Sequence, residues 1–287
     1  MSLSKSELVE LSRVATTVAD EAAAILMEGY RSRPNADEKG RADLVTEFDR
    51  RSEAHVTERL RALTPEIEVV GEEQSGDGAR ARAAASGSRA SGARGLVWYV
   101  DPLDGTTNFV HGHPFFCVSI GLMEDDEPVA GAIVAPVLHL RYRAVRPLAG
   151  DGAEALRNEQ PCAVSPVATL PRSLLATGFP GTRDASPDNN FGSFVEVKRA
   201  AQAVRRCGAA AIDLSFVADG TYEGYWERRV QVWDVCAGSA LVIAAGGRVT
   251  AMDGSAPRYH RGHILASNGK IHDDLVAAIG RGERHVI

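Results

Sequence analysis

From Ser6 to Tyr30 the apolar positions Leu11, Val14, Ala15, Val18, Ala22, Ile25 and Leu26 recur three and four residues apart. That spacing predicts a long amphipathic helix with one face on a core. Ser52 to Leu63 reads as a second helix, stopped at Pro65. IEVVGEE then reads as a short strand running into acidic residues, and GLVWYV as a buried strand that ends at Asp101. FFCVSIGLM and PVAGAIVAPVL are two further apolar runs, and the acidic turn EDDEP between them predicts an antiparallel hairpin.

Beyond about residue 150 the texture changes. SLLATGF and GYWERRVQVW have strand character, 211–219 and 234–245 suit helices, GHILASN is a late strand and HDDLVAAIG a final helix. Gly246-Gly247 closes the second of those helices. Strands and helices occur in both halves without strict alternation, which predicts two α/β regions, 1–147 and 148–287, meeting in layers. Between the strands, SGDGARARAAASGSRASGARG at 75–95 offers no side chain larger than alanine for a core, so it reads as a surface loop.

Of the 287 residues, 44% are hydrophobic and 24% charged, as in an ordinary globular protein, and the formal net charge is -6. Lys and Arg are scattered, which argues against a nucleic-acid partner. No apolar run approaches the roughly 18 residues of a membrane span, and MSLSKSELVELSR lacks the apolar stretch of a secretory signal. Cys117, Cys162, Cys207 and Cys236 form no CxxC pair and read as reduced thiols. The expectation is a cytoplasmic protein.

The chemistry gathers at WYVDPLDGTTN, residues 98–108. Asp101 and Asp104 follow an apolar strand, with Pro102 fixing one φ and Gly105 freeing the next turn. Two carboxylates held this close repel unless a cation joins them or they share a proton. An oxygen-only donor set without His or Cys calls for a hard ion, Mg²⁺ above all. The glycine and threonines that follow carry the N–H and hydroxyl groups that hold phosphate. An acidic surface turn alone would explain DPLDG. The EF-hand reading fails, because the acids do not alternate and no glutamate closes a twelve-residue loop. The DxDGT arrangement of haloacid-dehalogenase-like phosphatases is one residue out of step with D-x-x-D.

WYVDPLDGTTNFVHGHP resembles the signature of the inositol monophosphatase family. Further landmarks follow the family's order: Asp43-Leu44-Val45-Thr46 with Asp49, Gly71-Glu72-Glu73, RCGAAAIDLSFVADG, Val232-Trp233-Asp234-Val235 and GHILASN. The resemblance covers roughly residues 8 to 275 and implies a layered αβαβα sandwich of the inositol monophosphatase and fructose-1,6-bisphosphatase type. It also implies a homodimer, inhibition by Li⁺ and two to three Mg²⁺ ions. By the same resemblance Glu72, Asp101 and the carbonyl of Leu103 would hold one metal, and Asp101, Asp104 and Asp234 a second, with a third beside Glu72. Thr106, held by Asp49, would orient the attacking water, and Lys39 would stand near it. The amides of Gly105 and Thr106 would receive phosphate. Asp49 also reads as a helix N-cap, a role compatible with the chemical one; Asp234 could instead simply cap the helix at 235–245, but beside Trp233 in the motif the ligand reading is favoured.

On the substrate side the resemblance implies Gly208, Ala209, Ala210 and Glu227, alongside Asp104 and Asp234. Ala209 stands where the family usually has Ser or Thr, and Arg206, Arg228 and Arg229 add positive charge near the expected pocket mouth. The region 138–161 fits the family's glycine-rich hairpin only loosely. The expected activity is Mg²⁺-dependent hydrolysis of a small polyol phosphate, inositol 1-phosphate first. Fructose 1,6-bisphosphate, histidinol phosphate and 3'-phosphoadenosine 5'-phosphate are the alternative substrates. A regulatory protein-binding module is the alternative of another class, but such a module has no physical need for an intact set of carboxylates.

Overall fold

A computed structural model describes residues 2–40, 43–73, 95–180 and 188–283, with backbone alone at 39, 40 and 43. The expected surface loop at 75–95 therefore lies outside the described residues except for Gly95.

The first helix, α1 (Lys5–Gly29), starts at a capping box in which Ser4 and Glu7 satisfy each other's backbone N–H. It buries Leu8, Ala15, Val18, Ala22 and Leu26 along one stripe. A two-stranded ribbon, β1 (Ala36–Gly40) and β2 (Asp43–Thr46), leads into α2 (Glu47–Leu63). That helix begins five residues before the expected Ser52. Thr46 is its N-cap and Asp49 its third residue, joined in a second capping box. Asp49 is thus not the N-cap itself.

A seven-stranded sheet follows, in the spatial order β3 (Glu68–Gly71), β4 (Leu96–Asp104), β5 (Cys117–Glu124), β6 (Glu127–Ala135), β7 (Leu140–Val145), β8 (Glu154–Arg157), β9 (Gln160–Pro161). The β5–β6 pair is the expected antiparallel hairpin. β4 does not stop at Asp101. It runs to Asp104 through an irregularity in its pairing with β5 that spans Pro102, the kind of position a sheet proline tolerates. The chain turns only at Gly105, whose φ of 96° opens the short helix α3 (Thr106–Val110). The sheet continues to Pro161, past the change of composition near residue 150.

The second sheet has five strands, in the order β11 (Ala203–Arg205), β10 (Leu174–Thr177), β12 (Gly224–Arg228), β14 (His263–Ser267), β13 (Arg248–Thr250). GYWERRVQVW is only half strand. Arg229 takes a left-handed φ of 58°, β12 ends at Arg228, and the next helix begins at Val232. The remaining helices are α4 (Phe191–Ala200), α5 (Ala210–Ala218), α6 (Val232–Ala244) and α7 (His272–Glu283).

Three hydrophobic clusters define the layers. α1 and α2 cover one face of the larger sheet. α5 and α6 fill the space between the two sheets, and α4 and α7 pack outside the smaller one. The order is α-β-α-β-α, the expected sandwich. Beyond Asp234, α6 carries no charge, as a helix wrapped in sheet on both sides requires. Its close fit depends on glycine. A Cβ at Gly121 would come within 2.5 Å of Cys236 Sγ, and one at Gly131 within 2.9 Å of Ala237. Among the described residues no helix is long and apolar enough to cross a membrane, and the four cysteines are free.

Candidate active site

Four elements end around one cavity of about 200 Å³. Glu72 comes from the residues just after β3, Asp101 and Asp104 from the end of β4, Thr106 from the start of α3, and Asp234 from the first turn of α6. Leu103, Gly105, Gly208, Ala209, Ala210, Glu227, Arg206 and Val230 complete its lining. A space of this size suits a small ligand.

The acids are held by helix beginnings. Asp104 Oδ1 accepts from Ala210 N at 3.2 Å and Oδ2 from Ala211 N at 2.7 Å, so it caps α5 from the end of β4 in the larger sheet. Asp234 Oδ2 accepts from Gln231 N at 2.7 Å in the capping box of α6. Gln231 is the N-cap, and Asp234 is the third residue inside. Asp101 Oδ1 accepts from Leu103 N at 3.0 Å. Each acid is thereby oriented while lone pairs remain for a ligand.

Electrostatics set this group apart. Burial pushes Asp101 well above the usual carboxylate range, and the charges of Glu72, Asp104 and Asp234 push it further. Burial likewise raises Asp234, with Glu72 again adding to the shift, and Asp104 is pushed up to about 6. Such a set is destabilised until a cation neutralises it. Among the described residues no three acidic, histidine or cysteine side chains converge closely enough to form a finished metal cage. The donor chemistry nevertheless fits a hard divalent ion: oxygen only, several carboxylates, mutual repulsion and deep burial.

Asp49 lies outside the cavity and reaches it through Thr106. Its Oδ1 accepts from Thr106 Oγ1 at 3.0 Å, while Oδ2 accepts from Thr46 N at 2.8 Å and Thr46 Oγ1 at 2.6 Å. The Thr106 hydroxyl also lies 3.1 Å from the Leu103 carbonyl oxygen. Its one proton serves one of these two acceptors, which leaves the oxygen free to accept from a third partner.

On the opposite sheet, Glu227 Oε2 accepts from Tyr225 Oη at 2.5 Å, and its carboxyl group leans on the bare backbone of Gly178. Burial raises this carboxyl to about 7.

The sequence profile of the inositol monophosphatase family matches residues 7–283. The chain belongs to that family. An inositol-1-monophosphatase of Synechocystis sp. is 40% identical over 277 residues, covering 96% of this chain and 91% of the relative. A chloroplastic phosphatase of Arabidopsis thaliana is 36% identical over 96% of this chain and 71% of its own length. The solved inositol monophosphatase of Anabaena (Nostoc) sp. superposes with a TM-score of 0.79 at 37% identity, covering 96% of this chain and 97% of that one. Membership of the inositol monophosphatase family makes the protein a phosphatase of phosphomonoesters and does not favour the protein-binding alternative.

Within this family member the structure brings together Glu72, Asp101, Leu103, Asp104, Gly105, Thr106, Gly208, Ala209, Ala210, Glu227 and Asp234. Lys39 lies in β1, and its side chain is outside the described atoms. Arg228 and Arg229 do not supply free charge at the mouth: both pair with Asp188, and Arg228 also with Glu283. Arg206 does line the cavity.

Sequence reading missed several supporting groups. Glu53 is buried on α2, accepts from Glu73 N at 2.5 Å and packs against Gly71, so it fixes the backbone that bears Glu72. Ser52 Oγ donates to the Pro102 carbonyl at 2.9 Å. The available signal was the run Asp49, Ser52, Glu53, polar residues three and four apart on a helix face otherwise apolar at Phe48, Val56 and Leu60. Asn108 Nδ2 donates to the carbonyls of Phe115 at 2.6 Å and Cys207 at 2.8 Å, tying the end of α3 to the segment before α5. Nothing local in the sequence marks that bond.

Proposed function

We propose that this phosphatase hydrolyses inositol 1-phosphate, or a closely related small polyol phosphate, with Mg²⁺ as its metal. The observation that carries the reading is the convergence of Glu72, just after β3, Asp101 and Asp104, from β4, and Asp234, from α6, on a cavity shared with the Thr106 hydroxyl.

In this reading Glu72, Asp101, the Leu103 carbonyl, Asp104 and Asp234 hold two ions, with a third beside Glu72. When bound, Mg²⁺ supplies charge to stabilise the entering and leaving oxygens and makes water a stronger nucleophile near neutral pH. Thr106 accepts a hydrogen bond from the attacking water because its own proton is committed to Asp49 or Leu103. Asp49 fixes that orientation from behind. The amides of Gly105 and Thr106, freed toward the cavity by the left-handed turn at Gly105, receive phosphate oxygens. Glu227, with Gly208, Ala209 and Ala210, faces the alcohol part and accepts from its hydroxyls. Lys39 is assigned near the water by resemblance only. We further assign the protein to the cytoplasm, as a homodimer inhibited by Li⁺.

The test is phosphate release from inositol 1-phosphate with Mg²⁺, with EDTA and with added Li⁺, beside Asp104→Asn. Release that needs Mg²⁺ and the Asp104 carboxylate supports the reading. Release no faster than from generic aryl phosphates rejects the substrate, and release undiminished in Asp104→Asn rejects the site.

A further inference from the structure

Among the described residues the cavity is lined by five carboxylates, those of Glu72, Asp101, Asp104, Glu227 and Asp234, and by one cation, Arg206. The two arginines that follow Glu227 in sequence are engaged elsewhere. Arg228 and Arg229 are both held by Asp188. Arg206 is exposed and makes no hydrogen bond or ion pair with any described residue.

Its position is nevertheless defined. The guanidinium lies over Gly208, where a Cβ would come within 2.4 Å of Nη1. The backbone on which it rests is pinned, because Asn108 Nδ2 donates to the carbonyl of Cys207 at 2.8 Å. Arg206 is close enough for its charge to be felt by both Glu227 and Asp213, yet it closes an ion pair with neither. Asp213 is fully buried behind the cavity, and its Oδ1 has no hydrogen-bond partner. If Arg206 served only to neutralise these acids, direct pairing would be the lower-energy arrangement. Instead, Glu227 is satisfied by Tyr225 and the guanidinium fork stays open.

We propose that Arg206 receives a second anionic group of the substrate, a phosphate or a carboxylate carried on the alcohol portion. The inference rests on the phosphomonoesterase reading and adds a selectivity to it. Glu227 takes hydroxyl groups, which any polyol offers. Arg206 presents planar, paired N–H donors, whose geometry matches the oxygens of a phosphate or carboxylate. A singly phosphorylated neutral polyol uses only the first of these contacts, whereas an ester with another anion uses both.

The experiment compares wild type, Arg206→Met and Arg206→Lys on three esters with Mg²⁺. Inositol 1-phosphate carries no second anion, fructose 1,6-bisphosphate carries a phosphate and 3-phosphoglycerate a carboxylate. Arg206→Met is expected to lower kcat/KM roughly 10- to 100-fold, mainly through KM, for one or both doubly anionic esters. It should leave inositol 1-phosphate within about 3-fold, since no charge-assisted contact is lost there. Arg206→Lys should restore part of the loss, because a point charge replaces a fork. Which ester suffers identifies phosphate or carboxylate as the preferred group. An equal loss on all three would assign Arg206 to balancing the site's charge, and no loss would remove it from recognition; either overturns the proposal. If wild type turns over none of the three, the proposed polyol phosphate substrate has failed. Calorimetric titration of the same compounds into the Mg²⁺-loaded proteins then decides Arg206. Selective weakening in Arg206→Met upholds it, and unchanged binding rejects it.

Discussion

Thr106 Oγ1 stands 3.0 Å from Asp49 Oδ1, and the other oxygen of that carboxylate closes the capping box of α2 with Thr46. One side chain therefore joins the start of a structural helix to the hydroxyl at the head of the cavity. Asp49→Asn replaces one acceptor oxygen with an N–H donor, so it cannot serve both partners as acceptor. We expect kcat/KM to fall by roughly 10²- to 10³-fold, within the range of a lost proton-handling group. Stability should fall by about 1 kcal/mol, as for a weakened cap. Thr106→Ser keeps the hydroxyl and should hold activity within roughly tenfold, while Thr106→Val should not. Steady-state kinetics with a urea titration separates the two roles. Full activity in Asp49→Asn with only the stability loss would reduce Asp49 to a cap.

Glu227 owes its placement to a missing side chain. A Cβ at Gly178 would lie 2.0 Å from the Glu227 carboxyl carbon and oxygens, which no real contact permits. Gly178→Ala must push that carboxyl away from Tyr225 and out of its present orientation. The expected result is a KM for inositol 1-phosphate raised roughly tenfold, corresponding to one misplaced hydrogen bond, with a smaller change in kcat. Kinetics of Gly178→Ala beside Glu227→Ala would show nearly the same defect in both, since each removes the same group. Unchanged kinetics in Gly178→Ala would mean Glu227 does not need this orientation.

The sequence made most of the site legible because its acids sit in short contiguous motifs at element ends. DPLDGTTN announces Asp101, Asp104 and Thr106 together, and WDV marks Asp234 at a helix start. The helical and strand periodicities likewise reveal α1, the β5–β6 hairpin and α7 directly. What escaped depends on tertiary position. Glu53 looks like one more charged residue on a helix until Gly71 closes over it. Gly178 acquires meaning only when β10 and β12 lie side by side. The Asp104 contact to the α5 amides runs from the larger sheet to the helical layer between the sheets, at a separation of 106 residues in sequence. The strand reading of VQVW failed because apolar alternation there competes with a capping box, and the left-handed Arg229 gives the helix precedence.

Burial of α6 between the sheets makes a separate prediction about stability. Alanine at Gly121 would bring its Cβ within 2.6 Å of the Ala237 backbone nitrogen, an atom that cannot rotate away. Gly121→Ala should cost roughly 2–3 kcal/mol through overpacking. Gly280 offers the contrast: it lies in α7 with nothing within 4 Å of a built Cβ. Gly280→Ala should stabilise by about 0.5–1 kcal/mol, from the lower entropy of the unfolded chain. Urea midpoints at unchanged m-value would measure both. A neutral Gly121→Ala would show that α6 can shift within its layer.

The raised Glu227 carboxyl links stability to pH. Its value rises from an ordinary 4.5 to about 7, caused first by burial and opposed by the Tyr225 hydrogen bond and the charge of Arg206. Below pH 4.5 the group is protonated in both folded and unfolded chains and has no effect. Between 4.5 and about 7 the unfolded chain releases the proton while the folded one keeps it, so the folded state loses stability as pH rises. Above about 7 both states are ionised and the deficit stays constant. Asp104 and its neighbours act in the same direction, so the isolated contribution is the difference between wild type and Glu227→Gln in EDTA. That difference should be near zero at pH 4.5, grow through pH 7 and then level off. At pH 8 the variant should melt about 2 °C or more higher. Its kcat/KM on inositol 1-phosphate should meanwhile fall roughly tenfold. The two results together would show a buried charge retained for binding at the expense of stability. A variant that melts lower than wild type at pH 8 would mean that the ionised Glu227 is compensated by its surroundings, with Arg206 the first candidate.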